Sequence, residues 1–278
     1  MTAHLHGDSR LLSQRNLEVF YQPNLRLSKA TGLLGYNAGY AEAVGRGSFD
    51  QHQKDLVWRL LGMVPIGPES TVVDVGCGIG GPSGWIFERY RPARLIGIEY
   101  CVASVREAEA RWSQRSRRPI FLQGDAVRLP IHDASVDVIF NLESALHYED
   151  KPAFIRECRR ILKPGGTLCL GDICTRRKTL FAVLGLLNHL PTQFSTHAKL
   201  WSPEQYADAF RAAGLHLERQ EDVSRQSADS LRDGLAEISR AGWSAARGYR
   251  RRFFYLCAVE RMLRRGWLTY DLFNIRRC

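Results

Sequence analysis

The chain has 278 residues, of which 45% are hydrophobic, and this composition is typical of a folded globular protein and excludes a disordered one. The formal net charge is +10, but 33 of the 39 basic residues are arginine, a skew that GC-rich codon usage produces without selection for phosphate binding. The longest apolar stretch, near residues 180–190, is too short to span a bilayer, and residues 1–10 lack the order of a secretory signal peptide. We therefore expect a cytoplasmic protein without integral membrane association.

The first 65 residues are helix-like but poorly patterned until the periodic run DQHQKDLVWRLLGMV, residues 50–64, which predicts one amphipathic helix. We expect residues 1–65 to form an N-terminal helical cap or lid. Residues 66–278 are expected to form a single α/β domain.

From Thr71 onward, strand-like and helix-like runs alternate. The strand-like runs are STVVDVG, ARLIGIEY, PIFLQGD, VDVIFNLES and GTLCLGDI. Alternation of this kind predicts βαβ units on a parallel sheet, with ligands at the carboxyl ends of the strands.

After Asp172 the pattern loosens. TLFAVLGLLNHL predicts a short buried helix, and SPEQYADAFRAAG predicts a helix that begins after Ser202 and ends at Gly214. LHLERQEDV and the final WLTYDLFNIRR predict two further strands, separated by a long helical stretch from Ser227 to about Arg265. Insertions near residues 176–202 and 226–265 are expected to build the cap over a bound acceptor.

The stretch VVDVGCGIGGPSG, residues 72–84, follows a strand and enters a helix. Glycines at 76, 78 and 80 allow the backbone to approach a ligand closely, because no Cβ intervenes. The next strand ends in Glu99, whose carboxylate can accept both hydroxyls of a ribose, and the third ends in Asp125, suited to the edge of an adenine. No G-K-[ST] follows the loop, so a triphosphate would lack its lysine and magnesium anchor.

These motifs resemble those of the class I S-adenosylmethionine-dependent methyltransferases. The matching residues are VVDVGCGIGG, GIEY, GDAVRLPIHDASVDVIFNLESALHYED and FIRECRRILKPGGTLCLGDI, which cover the chain from about Thr71 to Ile173. The resemblance implies an α/β fold: a Rossmann-like, seven-stranded, mostly parallel sheet with helices on both faces, plus helical lid or cap elements. It implies S-adenosylmethionine as cofactor, with S-adenosylhomocysteine as product.

By the same resemblance, the cofactor residues can be named. Asp74, Gly76, Gly78 and Gly80 shape the pocket for the methionine portion, Glu99 and Tyr100 hold the ribose, Asp125 and Ala126 bracket the adenine, and Asn141 lies under the sulfonium. The KPGG sequence, residues 163–166, is expected to be a structural turn before strand five.

The group within the family that the chain is most similar to acts on small molecules: sugar and polyketide O-methyltransferases, glycine-type N-methyltransferases, and sterol or quinone C-methyltransferases. LLGYNAGY, residues 33–40, is similar to the lid segment of that group, with Asn37 in place of an aromatic residue. Tyr36 and Tyr40 are therefore expected to cover the cofactor.

Methyl transfer is a displacement, so the protein aligns the nucleophile and, for a hydroxyl, removes its proton. His147, with an unperturbed pKa near 6.5, suits the second task, and Asp172 could orient its ring. We therefore hypothesise a His147–Asp172 pair and O-methylation of a natural product, lipid or glycoside. The alternative is C- or N-methylation, of an acidic or prenyl- or quinone-like acceptor among others, using Glu143 or proximity alone.

Two other function classes stay open at this point. An RNA or protein methyltransferase is supported only by the net charge, and the strand-four sequence N-L-E-S differs from an N-P-P-Y-like tetrapeptide. A binding protein that kept the fold and lost catalysis is the third class. The seven scattered cysteines lack a C-x-x-C pair, so no metal site is expected. The arginine-rich residues 247–266 are interpreted first as a solvated helix with an apolar core stripe, with contact to an acidic acceptor or to an anionic membrane as the alternatives. Pairing of the chain with itself is left open.

Overall fold

The computed structural model describes residues 28–29, 32–62, 64–176, 200–240 and 249–278. The strands are β1 Thr71–Val75, β2 Arg94–Glu99, β3 Ile120–Gln123, β4 Val136–Leu142, β5 Leu162–Thr175, β6 Leu215–Asp222 and β7 Leu268–Arg277. The helices are α1 Phe49–Leu61, α2 Gly81–Tyr90, α3 Val102–Trp112, α4 Lys151–Ile161, α5 Pro203–Ala212, α6 Ser224–Arg240 and α7 Tyr249–Arg264. None of the helices within these ranges is both long and apolar enough to cross a bilayer.

The seven strands form one sheet in the order β3-β2-β1-β4-β5-β7-β6. The first five are mutually parallel, whereas β7 runs antiparallel to both β5 and β6. The expected Rossmann-like, mostly parallel fold is confirmed. Strand β1 lies between β2 and β4, so the chain continues from β1 to one side of the sheet and later returns, with β4, on the other side. The carboxyl end of β1 at this switch in direction is where open α/β sheets bind ligands.

Helices cover both faces of the sheet because the strands are apolar on both sides. Val72 packs in one core with residues of α1, α2, α6 and α7, and its neighbour Val73 packs in a second core with residues of α4 and α5. Both valines are fully buried. Alternate side chains of a strand point to opposite faces, so a near-continuous apolar run is what a doubly covered sheet requires.

Helix α1 belongs to the first of these cores and packs directly on the sheet. The side-chain amide of Asn274 on β7 donates to the carbonyl oxygen of Leu60 at 3.0 Å. This bond fixes the end of α1 against the antiparallel part of the sheet. The division of the chain at residue 65 stays a prediction.

Local sequence signals predicted the elements of the second half of the chain, with two differences from the structure. The predicted cap of α5 is confirmed, since Ser202 and Gln205 form a reciprocal capping box, and Gly214 follows with a φ of +70°. The predicted turn at residues 163–166 is wrong in one respect, because these residues lie inside β5, where the pairing with β4 shifts register. The predicted single helical stretch after β6 contains two described helices, α6 and α7.

Candidate active site

A cavity opens at the carboxyl ends of β1, β2 and β4. Its walls come from the glycine loop after β1, from Glu99, from residues 142–147 after β4, from residues 33–38, and from α1, α6 and α7. Among the predicted cofactor residues, the following line it: Tyr36, Gly76, Gly78 and Glu99. The two candidate bases Glu143 and His147 line the same cavity.

The glycine loop is held in a conformation that only glycine adopts readily. Gly76, Gly78 and Gly80 all have positive φ, between +54° and +78°. A Cβ on Gly76 would lie 1.8 Å from Ser144 Oγ, and one on Gly80 would lie 2.6 Å from the Phe121 ring, so packing within the protein excludes side chains there. At Gly78 the nearest neighbour is the Tyr36 ring at 3.6 Å. Gly78 is thus the loop position that leaves room for a ligand.

Glu99 ties the end of β2 to this loop. Its Oε2 accepts from the backbone N–H of Gly78 at 3.0 Å, and its Oε1 accepts from that of Cys101 at 2.9 Å. Burial raises the pKa of the carboxyl, and hydrogen bonds from the backbone act in the opposite direction. Each carboxylate oxygen has two lone pairs, so both oxygens can accept a further hydroxyl.

Asp74 lies beneath the loop, almost completely buried, rather than on the cavity wall. Its Oδ2 accepts from Ser83 Oγ at 2.5 Å, which anchors the first turn of α2 to β1. Burial raises the pKa of Asp74 to about 7, although the Ser83 hydrogen bond opposes this and the charge of Glu99 adds to it.

We expect Asp74→Asn to weaken the pH dependence of stability. An unfolded aspartate titrates near pH 4, so between about pH 4 and pH 7 the folded protein holds an extra proton and its free energy of unfolding falls as pH rises. Urea unfolding at pH 4.5 and 7.5 measures the difference. The variant should lose less stability between these values than the parent. The slope that remains comes from other carboxyl groups whose pKa burial raises, among them Asp172, with a pKa of about 7, Glu99 and Asp271. Equal losses would contradict this account.

The other predicted cofactor residues lie around the cavity rather than on its wall. Asn141 is fully buried, and its Nδ2 donates to Val75 O at 2.8 Å, while its Oδ1 has no hydrogen-bond partner within the described part of the chain. Asp125 is exposed and accepts from the backbone N–H of Val127, Ala126 is buried, and Tyr100 is half-buried. Their roles towards a ribose or an adenine stay predictions.

Residues 33–38 cover one side of the cavity, as the lid hypothesis requires. Gln53 of α1 holds this segment, because its Nε2 donates to the carbonyl oxygens of Gly35 and Asn37 at 3.0 and 2.9 Å. Tyr36 lines the cavity, whereas the ring of Tyr40 lies under the guanidinium of Arg59, 5.7 Å from it. Tyr40 is not among the residues that line the cavity, and its role over the cofactor stays a prediction.

Glu143 has an unusual backbone for a non-glycine residue, with a φ of +48°. Its own N–H donates to Gly171 O at 2.8 Å, and its Oε1 accepts from the Ala38 N–H at 2.5 Å and from the Tyr270 hydroxyl at 2.9 Å. Backbone strain of this kind costs about 1–3 kcal/mol and is found where surrounding structure imposes it, often at functional sites.

His147 ends a short 3₁₀ turn, Ala145–His147, and lines the cavity. The two oxygens of Asp172 accept from the Ile173 N–H and the Tyr206 hydroxyl, and the hypothesised His147–Asp172 pair stays a prediction. Asp172 is buried on β5, and desolvation raises its pKa to about 7, with the Tyr206 hydrogen bond and the charge of Lys151 acting against this rise. Asp172 therefore belongs to the sheet interior.

Sequence reasoning missed Gln53, Ala38 and Tyr270. Ala38 lies in the lid segment, but no sequence signal indicated its own role, and each of the three acts through a contact with a residue distant in the chain. The sequence also suggests acceptor contacts by two histidines that flank Pro191 and by several apolar side chains. The following of these lie outside the described residues: His189, His197, Phe181, Leu184, Leu187 and Trp243.

Comparisons with known proteins agree with the fold. Residues 73–170 match a family model described as a methyltransferase domain. The chain is 34% identical over 139 residues to erythromycin 3''-O-methyltransferase of Saccharopolyspora erythraea, covering 49% of this chain and 45% of the relative. It is 32% identical over 185 residues to 27-O-demethylrifamycin SV methyltransferase of Amycolatopsis mediterranei, covering 62% and 63%. The chain thus spans less than two thirds of either relative's length.

Among solved structures, the [4+2]-cyclase SpnF has a TM-score of 0.78 at 23% identity, with 95% of this chain and 96% of that chain covered. This likeness concerns the fold alone. Since a cyclase shares the architecture, the reaction has to be argued from the residues of the site.

Proposed function

We propose, from the premise that residues 73–170 are a methyltransferase domain set in the class I methyltransferase fold, that the chain transfers the methyl group of S-adenosylmethionine to a small molecule. One observation carries the proposal: a single cavity is lined by the glycine loop and Glu99, which suit the donor, and by two candidate bases, Glu143 and His147. The relatives that carry out O-methylation on natural products support the same assignment.

The cavity residues fit this donor. Gly78 leaves open space towards the cavity, and Glu99 holds a carboxylate at the end of β2, where the two hydroxyls of a ribose can donate to it. When bound, S-adenosylmethionine supplies an electrophilic methyl group on a positively charged sulfonium. Tyr36 on the lid segment and the loop after β1 then enclose it and exclude water.

We propose O-methylation, with His147 as the general base. The acceptor hydroxyl forms the new O–CH₃ bond as the S–CH₃ bond breaks, and a cavity-lining imidazole near neutral pH can take the hydroxyl proton.

C- or N-methylation is the second candidate, and the geometry of Glu143 favours it. Its strained backbone and its hydrogen bonds from Ala38 and Tyr270 hold a carboxylate on the cavity wall. A carboxylate so placed could accept a proton from an amine or a carbon acid.

The acceptor is proposed to be uncharged or cationic, with a largely apolar body. Apolar side chains of α1, α6 and α7 line the same cavity as Glu143, among them Phe49, Leu231, Leu256 and Val259. Burying a phosphate against this surface and beside a carboxylate costs desolvation and like-charge repulsion. This assignment favours natural-product acceptors over acidic metabolites and over RNA.

An acceptor assay with methyl-labelled S-adenosylmethionine tests the function. We expect label to enter neutral hydroxylated aromatic or macrocyclic compounds at least about tenfold faster than their phosphate monoesters, because one repulsive contact in a low-dielectric site exceeds about 1.4 kcal/mol. Phosphate esters that react as fast as the parent alcohols would contradict the acceptor class. Label entering RNA or protein instead would overturn the small-molecule assignment.

A further inference from the structure

Three distant parts of the chain meet at one oxygen of Glu143. The Ala38 N–H, on the lid segment, and the Tyr270 hydroxyl, on β7, both donate to Oε1, at 2.5 and 2.9 Å. Glu143 itself follows β4 and is held by its backbone bond to Gly171. The carboxylate is thereby fixed on the cavity wall by the lid and by the last strand together.

The Tyr270 hydroxyl acts as a hydrogen-bond donor in this contact. The residue is fully buried, and burial raises the pKa of its phenol well above the ordinary value, with the nearby Glu143, Asp172 and Cys174 adding to the rise. The phenol therefore stays protonated. Two donors on one oxygen favour the ionised form of a carboxyl group over the neutral form.

The ionised carboxylate lies next to the proposed donor site. Ser144, its neighbour in the chain, occupies the space beside Gly76 at the start of the glycine loop, and Glu143, Gly76 and Gly78 line the same cavity. S-adenosylmethionine bound there would carry a positive sulfonium, whereas S-adenosylhomocysteine, the product left after methyl transfer, is a neutral thioether at sulfur. A fixed negative charge in an apolar-walled cavity acts on the first and not on the second.

We infer that Tyr270 is a positioning residue: its hydroxyl holds the Glu143 carboxylate ionised on the cavity wall, where it favours a cationic donor over the neutral product. The inference rests on the proposed function. Its consequence is that the cavity binds the cationic donor more tightly, relative to the neutral product, than it would without Glu143.

The test compares Tyr270→Phe with Tyr206→Phe. Tyr206 is a matched control, since it is equally buried and donates its hydroxyl to a buried carboxylate, Asp172, that does not belong to the cavity wall. Calorimetry measures binding of two probes to the folded proteins: S-adenosylhomocysteine, which is neutral at sulfur, and sinefungin, which carries an amine cation in that region. Tyr270→Phe should weaken sinefungin binding about tenfold, the worth of one charge-assisted hydrogen bond, and leave S-adenosylhomocysteine binding within about threefold.

The same measurement at two pH values separates positioning from packing. Without the Tyr270 donor, Glu143 is protonated more easily, so the loss of sinefungin binding should be larger at pH 6 than at pH 8. Glu99 and His147 also line the cavity and are present in parent and variant alike, so the comparison isolates the change at residue 270. Tyr206→Phe should show no difference between the two probes at either pH.

Glu143→Gln provides a second variant that removes the charge directly. Glu143→Gln should weaken the binding of sinefungin, but not that of S-adenosylhomocysteine, at both pH values, whether or not Tyr270→Phe folds stably. The role of Tyr270 is overturned if Glu143→Gln is selective and Tyr270→Phe is not, or if Tyr270→Phe weakens both probes equally. If neither probe binds the folded parent, the donor site itself fails and the inference fails with it, a result distinct from binding without selectivity.

Discussion

Replacing Glu99 with alanine is expected to remove S-adenosylhomocysteine binding. The carboxylate is expected to accept both ribose hydroxyls, and it already orders the loop by accepting from the Gly78 and Cys101 N–H groups. Two charge-assisted hydrogen bonds at about 1.5–3 kcal/mol each correspond to a loss of at least about 100-fold in affinity. Calorimetric titration of parent and variant measures it.

Asp137→Ala is the matched control for this variant. Asp137 also accepts a backbone N–H, that of Thr71, at 2.8 Å, but at the amino end of β1, and it pairs with Lys163. Its loss should leave the affinity within about threefold. An analogue that lacks the ribose 2'-hydroxyl should bind the parent more weakly than S-adenosylhomocysteine, while Glu99→Ala should not distinguish the two. Unchanged affinity in Glu99→Ala would mean that the donor does not use this carboxylate.

Replacing His147 with alanine or asparagine is expected to abolish methyl transfer while S-adenosylhomocysteine affinity stays within about threefold. A positioned general base contributes about 10²- to 10⁴-fold to the rate, and a neighbouring side chain cannot replace it without moving. The measurement is the initial rate with labelled donor and an accepted alcohol. His132→Ala is the control, because His132 is exposed and lies outside this cavity.

Glu143→Gln in the same assay separates the two reaction classes. For O-methylation through His147, Glu143→Gln should reduce the rate less than His147→Ala does. The opposite order would exclude His147 as the base and favour C- or N-methylation through Glu143. Unchanged turnover in both variants would leave alignment of the acceptor as the source of the rate.

Much of the architecture could be predicted because its signals are local. The glycines of residues 76–80 occupy positive-φ positions that other residues avoid, and Ser202 begins a helix with a reciprocal capping box. The final strand β7 was predicted from its alternating sequence, and it pairs with both β5 and β6. In each case a few adjacent residues carry the physical cause.

Contacts between distant residues could not be predicted in this way. No local signal indicates that Asp172 Oδ2 accepts a hydrogen bond from the hydroxyl of Tyr206, which lies on α5. Gly80 was expected to admit a ligand, whereas the Phe121 ring on β3 requires its small size. Each outcome depends on how helices and strands pack.

The sequence by itself therefore determined three features: the mostly parallel class of the sheet, the glycine loop, and the position of Glu99 at the end of β2. It could do so because hydrophobic periodicity and the backbone freedom of glycine act within a few residues. Only the tertiary structure decided the partners of the candidate bases. Ala38 and Tyr270 are 105 and 127 residues from Glu143. They meet at its Oε1 because α1 holds the lid segment over the end of β4 and because β7 pairs with β5, the neighbour of β4. Sheet register and helix packing, rather than any local pattern, set that convergence.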